Sequence, residues 1–217
     1  MPTPPNIIFI LTDDQGCWAL GAAGNSEIFT PNLDRLAREG IRFASMFCTS
    51  PVCSPARASL LTGRIPSQHG IHDWLRRGNI AGEQPGVPFF GEDNAAIEYL
   101  AGMRAYTETL AENGYTCGLV GKWHLGDSLR PQKGFSSWRA LPYGGSDYIN
   151  PPIVYEDQIV HHPGYLTDWI TSNALEFLEE SLTHPGPFYL SIHHNAPHSP
   201  WDAHQHPQDL RDLYHGC

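Results

Sequence analysis

One short stretch of the chain combines a cysteine, an arginine and a helix pattern in an order that suits chemistry on an anion. It spans residues 53–64 and reads CSPARASLLTGR. Ser54 is a favourable helix N-cap, and Pro55 suits the first helical position. Cys53 would then lie at a helix N-terminus, where free backbone N–H groups and the helix dipole attract an anion. Arg57 adds a positive charge, so a nucleophile and an anion site would coincide.

Other nucleophile motifs fit this chain less well. A lone cysteine before a helix is usually a packing residue. A cysteine phosphatase loop would place an arginine at position 59, where this chain has Ser59. There is no G-x-S-x-G elbow, and Gly121-Lys122 is followed by tryptophan instead of the Ser or Thr of a phosphate-binding P-loop. The stretch therefore favours Cys53 as a functional cysteine.

Two adjacent carboxylates, Asp13 and Asp14, follow the apolar run over residues 6–12. Adjacent carboxylates without a nearby sulfur or imidazole ligand suit a hard divalent cation such as Ca²⁺ or Mg²⁺. Aspartate pairs are also common in solvated turns. The position of this pair after a buried strand favours the metal site.

Candidate site residues follow three segments that are rich in apolar and β-forming side chains. The three segments are predicted to be strands of a parallel sheet, and they cover residues 6–12, 115–120 and 188–193. Lys122 and His124 follow the second segment, and His198 follows the third. Because open α/β sheets place their sites at the carboxyl ends of the strands, we expect these side chains to meet the aspartate pair there. His193 and His194 are interpreted as strand and packing residues.

The elements between these strands predict the fold class. Helices are predicted over residues 31–40, 106–113 and 165–182, and an additional strand over 41–47. Residues 76–96 are predicted to form a Gly- and Pro-rich loop, and 129–152 a loop-rich aromatic segment that could build a substrate pocket. Strands that alternate with helices predict an α/β sandwich with a mostly parallel central sheet.

Length and composition set further bounds. A chain of 217 residues with 41% hydrophobic residues can hold one large domain with its own core. Its formal net charge of −10 argues against nucleic acid and anionic membranes as partners. No run reaches transmembrane length and no signal peptide is visible, which predicts a cytoplasmic protein, or a periplasmic or secreted one if a leader was removed. The five cysteines are scattered and do not indicate a disulfide framework.

The chain resembles the type I, formylglycine-dependent sulfatases of the alkaline phosphatase-like superfamily. Four stretches carry the resemblance: residues 6–16 (NIIFILTDDQG), 53–64, 114–124 (GYTCGLVGKWH) and 196–200 (APHSP). A fifth stretch, residues 30–40, is also typical of the family and is interpreted as scaffold. The resemblance implies an alkaline phosphatase-like sandwich and a sulfuric ester hydrolase that acts on a small-molecule or carbohydrate sulfate ester.

The resemblance also implies the nucleophile and the metal site. In the family the cysteine, here Cys53, is oxidised to formylglycine, whose hydrated form attacks the sulfur of a sulfate monoester. The partner for this step is a formylglycine-generating or an anaerobic sulfatase-maturating enzyme. Asp13, Asp14 and an oxygen on residue 53 bind Ca²⁺, with Mg²⁺ as a possible substitute.

The remaining roles follow from the same resemblance. Arg57 and Lys122 stabilise the sulfate oxygens. His124 takes a proton from the hydrated aldehyde, and His198 contacts the sulfate and helps to protonate the leaving alcohol.

The chain departs from the family pattern in its length. The family completes its metal site with an Asp-Asn pair beyond the third landmark, whereas Asp93-Asn94 lies before the second and does not take that role. We therefore expect residues 1–217 to form the N-terminal part of a sulfatase catalytic domain, with a sheet that is incomplete and exposes an edge. Two alternatives stay open: a phosphonate or phosphate ester hydrolase of the same superfamily, and an inactive, truncated sulfatase-like remnant.

Overall fold

The structure is a computed structural model that describes residues 4–75 and 96–214. The strands in these ranges are β1 (Ile7–Leu11), β2 (Thr116–Lys122), β3 (Ser137–Leu141), β4 (Pro152–Tyr155), β5 (Gln158–His161) and β6 (Phe188–His193). The α-helices are α1 (Pro31–Glu39), α2 (Cys53–Thr62), α3 (Pro66–His69), α4 (Tyr106–Glu112), α5 (Leu166–Leu182) and α6 (Gln208–Asp212). Apart from residue 96, the loop predicted over 76–96 lies outside the described residues, and so does Asp93-Asn94.

Four strands form one parallel sheet in the order β1-β6-β2-β3, and β4 and β5 form a separate antiparallel pair. The register sets Leu11 of β1 and Gly121 of β2 on either side of His193 in β6. The carboxyl ends of these three strands therefore lie side by side, as the sequence predicts. The predicted α/β fold with a mostly parallel sheet is confirmed.

Helices cover both faces of β2 and β6, the two central strands. Alternate side chains of a strand point to opposite faces, so Leu119 packs in a core with α2 and α4, whereas Val120 packs in a core with α5. Every residue of β6, and every residue of β2 except the first, is buried. No helix in the described ranges combines the length and the apolarity needed to cross a bilayer.

Two predictions about the strands are wrong. Residues 41–47 form no strand, and Ile41, Phe43 and Phe47 are all more than two-thirds exposed. A strand needs a neighbour to pair its backbone groups, and no strand of the described chain pairs with this segment. β1 is parallel as predicted, but it is not buried, because it is the edge strand of the described sheet and Ile8 and Ile10 face outwards.

Local details also differ from the sequence prediction. Helix α2 begins at Cys53, with Val52 at the N-cap, so the prediction that Ser54 caps the helix is wrong. Ser54 instead lies buried inside the first turn, where its hydroxyl accepts a hydrogen bond from the backbone N–H of Leu75 (3.3 Å). Gly63 ends the helix in the left-handed conformation, as predicted. The segment 129–152 contains β3, which the loop prediction missed.

Candidate functional site

Three charged side chains meet in the interior at the carboxyl end of the sheet. Asp13 follows β1, Lys122 is the last residue of β2, and Arg57 extends from the second turn of α2. The Nη2 atom of Arg57 lies 3.2 Å from Oδ2 of Asp13, and the Lys122 ammonium contacts the same oxygen. None of the three residues is more than 5% exposed. Two cations therefore face one carboxylate, which leaves one buried positive charge in excess.

The mutual charges shift the pKa values of all three groups. Burial raises the pKa of Asp13, but the charges of Arg57 and Lys122 lower it by more than burial raises it. The pKa of Asp13 therefore lies below its usual value. Burial lowers the pKa of Lys122, and the Arg57 charge adds to this effect while Asp13 opposes it. Burial also lowers the pKa of Arg57, and Asp13 opposes it. Asp13 is therefore ionised at neutral pH, where it stabilises both cations.

Several buried donors of these cations remain open. Nε of Arg57 has no hydrogen-bond partner among the described residues. Nζ of Lys122 contacts Oδ2 of Asp13, and its other N–H groups have no hydrogen-bond partner in the described chain. Buried polar groups in proteins are nearly always hydrogen-bonded, and each exception calls for an explanation such as a missing ligand or ion. The open donors on two cations fit an oxyanion.

Cys53 lies beside these cations at the first position of α2, and its side chain is half-buried. The helix has no side-chain cap hydrogen bond at its N-terminus, so its first-turn N–H groups add to the positive field. A cleft of about 330 Å³ opens here, and its walls include Asp13, Asp14, Cys48, Cys53 and Arg57. The four cysteines in the described ranges are free.

His124 is held rigidly two residues beyond β2. Its Nε2 lies 2.8 Å from the carbonyl oxygen of Leu75, and since a carbonyl only accepts, Nε2 carries the proton and Nδ1 is the basic atom. Nδ1 is buried without a partner among the described residues. Burial, with a contribution from the Lys122 charge, lowers the pKa of His124 to about 3. The imidazole is therefore neutral at neutral pH and can accept a proton at Nδ1.

His198 and Asp14 form the more open part of the site. Nε2 of His198 lies 3.7 Å from Oδ2 of Asp14, whose side chain is 55% exposed. Nδ1 of His198 lies 2.8 Å from the carbonyl oxygen of Ser199, so Nδ1 carries a proton and Nε2 faces Asp14. Asp14 and His124 both have positive φ values, 59° and 57°. Such a conformation is uncommon outside glycine and concentrates at functional sites.

The predicted metal ligands are only partly assembled. Asp13 and Asp14 both line the cleft that Cys53 also lines, and a pair of carboxylates suits a hard cation. Within residues 4–75 and 96–214, however, no group of three or more His, Cys, Asp or Glu side chains is arranged to hold a metal ion. The two carboxylates fit Ca²⁺ or Mg²⁺ in kind and fall short of the usual six to eight oxygen ligands of Ca²⁺.

The sequence interpretation missed one polar residue of the site. His193 was interpreted as a packing residue, but its ring nitrogen Nδ1 lies 3.0 Å from Nη1 of Arg57 and 2.9 Å from the carbonyl oxygen of Lys122. The available signal was its place at the end of a predicted central strand, where the other site residues also lie. That signal is weak because the partner Arg57 comes from a helix whose docking the sequence does not specify.

Comparison with known proteins identifies the family. The sulfatase family profile matches residues 5–216, and the chain belongs to the sulfatase family. It is 33% identical over 199 residues to the N-acetylglucosamine-6-O-sulfatase of Bacteroides thetaiotaomicron, covering 91% of this chain and 31% of that protein. It is 35% identical over 222 residues to the N-acetylgalactosamine-6-sulfatase of Mus musculus, covering 92% of this chain and 41% of that protein.

Solved structures confirm the alkaline phosphatase-like fold. Ps i-CgsB superposes with a TM-score of 0.77 at 29% identity, covering 96% of this chain and 48% of that one. A protein solved in complex with its substrate D-glucosamine-2-N,6-O-disulfate superposes with a TM-score of 0.70 at 32% identity, covering 91% and 35%. This chain thus spans between about a third and a half of the length of these relatives.

Proposed function

We propose that this chain carries the sulfate-binding and nucleophile residues of a sulfuric ester hydrolase that cleaves a sulfate monoester. The observation that supports this most is the pair of buried cations, Arg57 and Lys122, with open donors beside Cys53. A sulfate monoester carries a single negative charge, which equals the positive charge in excess at this cluster. A phosphate monoester carries about 1.5 to 2 negative charges at neutral pH, so the buried cluster by itself matches sulfate more closely, before the charges of the metal and of Asp14 are added. A monoanionic phosphonate ester remains the alternative substrate.

The family's nucleophile and metal fit the residues around this cluster. Formylglycine made from Cys53 would supply a nucleophilic oxygen, and Ca²⁺ or Mg²⁺ would supply positive charge beside it. Both basic side chains contact Oδ2 of Asp13, and the Asp13 carboxylate would also be one of the residues that hold the metal. Asp14 offers a second carboxylate from the open side of the cleft. The further ligands that a hard cation requires would come from solvent or from beyond the described residues.

Two histidines suit the proton transfers. His124 is neutral at neutral pH and has a buried, unpartnered Nδ1, so this atom would accept the proton from the nucleophile's hydroxyl. His198 donates its Nδ1 proton to a carbonyl, which leaves Nε2 as the atom that would exchange a proton with the leaving alcohol. Positioned imidazoles of this kind contribute about 10²- to 10⁴-fold to a rate.

The names of the relatives support a proposal for the substrate class. The sulfatases named above act on sulfated amino sugars by name, and one neighbouring structure was solved with neocarrahexaose. We therefore propose a sulfated carbohydrate as the natural substrate and a formylglycine-generating or anaerobic sulfatase-maturating enzyme as the partner that converts Cys53. Aryl sulfates are the practical test substrates.

The test uses the protein purified from its native host or co-expressed with a maturating enzyme. Mass spectrometry of the peptide that contains residue 53 should show the loss of sulfur and the gain of oxygen. The same protein should hydrolyse an aryl sulfate faster than the matched aryl phosphonate and phosphate. Cys53→Ala should abolish both signals, whereas Cys48→Ala, in the same cleft, should keep them. An unconverted Cys53 or a preference for the phosphonate would overturn the proposal.

A second candidate is a sulfatase-like protein that binds an anion but has no hydrolytic activity. The observation that favours it is the absence of a three-ligand metal cluster within the described residues. Calcium titration followed by calorimetry separates the two candidates. Saturable binding that Asp14→Asn weakens supports the hydrolase, and no binding supports the inactive anion binder.

A further inference from the structure

Three atoms form a close triangle behind the two cations of the site. Nη1 of Arg57 lies 2.8 Å from the carbonyl oxygen of Lys122, Nδ1 of His193 lies 2.9 Å from the same oxygen, and the two nitrogens are 3.0 Å apart. All three residues are buried. The triangle joins the guanidinium of one anion-binding residue to the backbone of the other through a single histidine.

A chain of hydroxyl groups determines which nitrogen of His193 carries the proton. The Tyr189 hydroxyl donates to Oγ of Ser191 (3.2 Å), and this Oγ lies 2.7 Å from Nε2 of His193. We assign the Ser191 hydroxyl proton to this contact, so that Nε2 is the acceptor. At the other side of the ring, Nδ1 lies 2.9 Å from the Lys122 carbonyl, which can only accept, and 3.0 Å from Nη1 of Arg57, which can only donate. With the Ser191 hydroxyl donating to Nε2, Nδ1 carries the proton and donates to the carbonyl, and Nη1 shares that carbonyl instead of bonding to Nδ1. We therefore assign the neutral Nδ1–H tautomer to His193.

From this arrangement we infer that His193 is a positioning residue for the anion site, a role that rests on the proposed function. As the Nδ1–H tautomer it donates to the Lys122 carbonyl, whose second lone pair accepts Nη1 of Arg57. The shared carbonyl fixes the guanidinium with Nη1 towards β2 and Nη2 towards Asp13, and the open Nε stays available for the anion. The same bond fixes the end of β2, from which the Lys122 side chain leaves.

The charge state of the ring supports this role. Burial, together with the Arg57 charge, lowers the pKa of His193 to about 3, so the ring is neutral at the pH of most measurements. A neutral ring can pack beside the guanidinium without adding a third positive charge. Phe9 of β1 packs edge-on against the ring, with centroids 6.1 Å apart, and limits its rotation.

Two substitutions of His193 test the roles of its two ring nitrogens separately. In His193→Asn the side-chain amide nitrogen falls near the place of Nδ1 and retains the donor to Lys122. In His193→Gln the amide reaches the place of Nε2 and retains only the contact with Ser191. His69→Gln is the matched control, because His69 is also a buried histidine bonded to a serine, Ser59 (3.0 Å), but lies away from the cations.

The experiment measures the dissociation constant of inorganic sulfate by calorimetry, with circular dichroism to verify that each variant is folded. We expect His193→Asn and His69→Gln to bind within about threefold of the parent protein, and His193→Gln to bind about tenfold more weakly, since a hydrogen bond to a charged cluster is lost. Equal affinities in the Asn and Gln variants, whether both normal or both weak, would overturn the inference. A parent protein that binds no sulfate would overturn it too.

A second measurement determines the tautomer of His193 and needs neither a ligand nor enzymatic turnover. Histidine labelled with ¹⁵N should give the shifts of an Nδ1–H ring at position 193, and Ser191→Ala should allow the other tautomer. An Nε2–H ring in the parent protein would contradict the inference. Because neither measurement needs catalysis, a protein that binds sulfate as expected but hydrolyses no ester would refute the proposed hydrolase and leave the role of His193 intact.

Discussion

The two halves of the site differ in how completely the described chain builds them. In the cation half, Asp13, Arg57 and Lys122 are buried in mutual contact, and His193 fixes them from behind. In the open half, Asp14 is largely exposed, and its carboxylate lies 3.7 Å from the ring of His198. In the cation half, Lys122 and His193 end the two central strands of the sheet, and Asp13 and Arg57 pack against them, whereas both members of the open half lie in loops beyond the strands.

We assign anion binding to the cation half and the chemical step to the open half. Central strands that are covered on both faces hold side chains rigidly, and preorganised charges are the groups that bind and stabilise an anion. The open half contains Asp14, one of the two proposed metal ligands, and His198, the proposed acid, which would act on a bound ester. We infer that the described chain has a finished anion site and an unfinished catalytic site.

The largest loss of stability is expected at Gly121, where the backbone of β2 lies against the backbone of β6 beside the cation half. A Cβ on Gly121 would lie 2.0 Å from the carbonyl oxygen of His193, and its φ of +106° is unfavourable for other residues. Gly121→Ala should therefore lower the free energy of unfolding by more than about 3 kcal/mol. Gly114 has a φ of +86°, but a Cβ added there would meet no atom within 4 Å. Gly114→Ala should therefore lower the free energy of unfolding by only about 1 to 2 kcal/mol.

Urea unfolding of both glycine variants measures this difference. If the two variants lose similar amounts of unfolding free energy, the backbones of β2 and β6 can move apart at Gly121 and His193. The cation half would then be less rigid than we infer.

The next largest effect should come from breaking the buried ion cluster. Arg57→Met leaves Asp13 with one cation and removes the donor to Lys122, and we expect a loss of about 3 kcal/mol of unfolding free energy. Arg38→Met is the control, because the Arg38–Glu39 pair is 4.0 Å apart with both side chains more than 60% exposed. Exposed pairs contribute about 1 kcal/mol at most. An equal effect of the two substitutions in thermal or urea unfolding would refute the ranking.

Two neighbouring glycines, Gly144 and Gly145, allow His124 and His198 to be tested separately. A Cβ on Gly144 would lie 2.1 Å from Nε2 of His124, whereas a Cβ on Gly145 would lie 3.8 Å from Cε1 of His198, an ordinary contact. Gly144→Ala should displace His124 and lower kcat on an aryl sulfate by about 10²-fold. Gly145→Ala should leave kcat within about twofold of the parent value. If Gly144→Ala has normal kcat, His124 is not the proton acceptor.

The pH dependence of stability should reveal the buried neutral rings. The pKa values of His124 and His193 are about 3 in the folded state, against an ordinary value of 6.5 for histidine, so the unfolded chain binds more protons between these values. The unfolding free energy should then fall as the pH drops below 6.5, by about 1.4 kcal/mol per pH unit for each histidine. His193→Asn should remove one histidine's share of this slope. An unchanged slope in that variant would show that His193 titrates normally.

The sequence predicts the order of the site residues well because their positions follow from strand ends. Lys122 and His124 come after an apolar run whose parallel pairing is confirmed, and this places Lys122 beside Asp13 at one edge of the sheet. The C-terminus of α2 is also predicted, because Gly63 marks it, whereas the helix begins two residues before Pro55, the predicted first position. Such local signals do not depend on the rest of the fold.

Features that depend on tertiary contacts could not be predicted. His193 looks like any strand residue until α2 brings Arg57 against it. The apolar alternation at Ile41 and Phe43 predicted a strand, but pairing requires a neighbour that this pattern does not specify. β3 follows a stretch rich in glycine and serine, and only its pairing with β2 defines it.

The calcium dependence of sulfate binding tests the central inference most directly. The dissociation constant of inorganic sulfate is measured by calorimetry on this protein, once with Ca²⁺ and once with a chelator. If the cation half is complete, sulfate binds in both conditions, and removal of Ca²⁺ weakens it by no more than about tenfold. Sulfate binding that disappears with the chelator would show that the open half is needed to form the anion site, and would contradict the account.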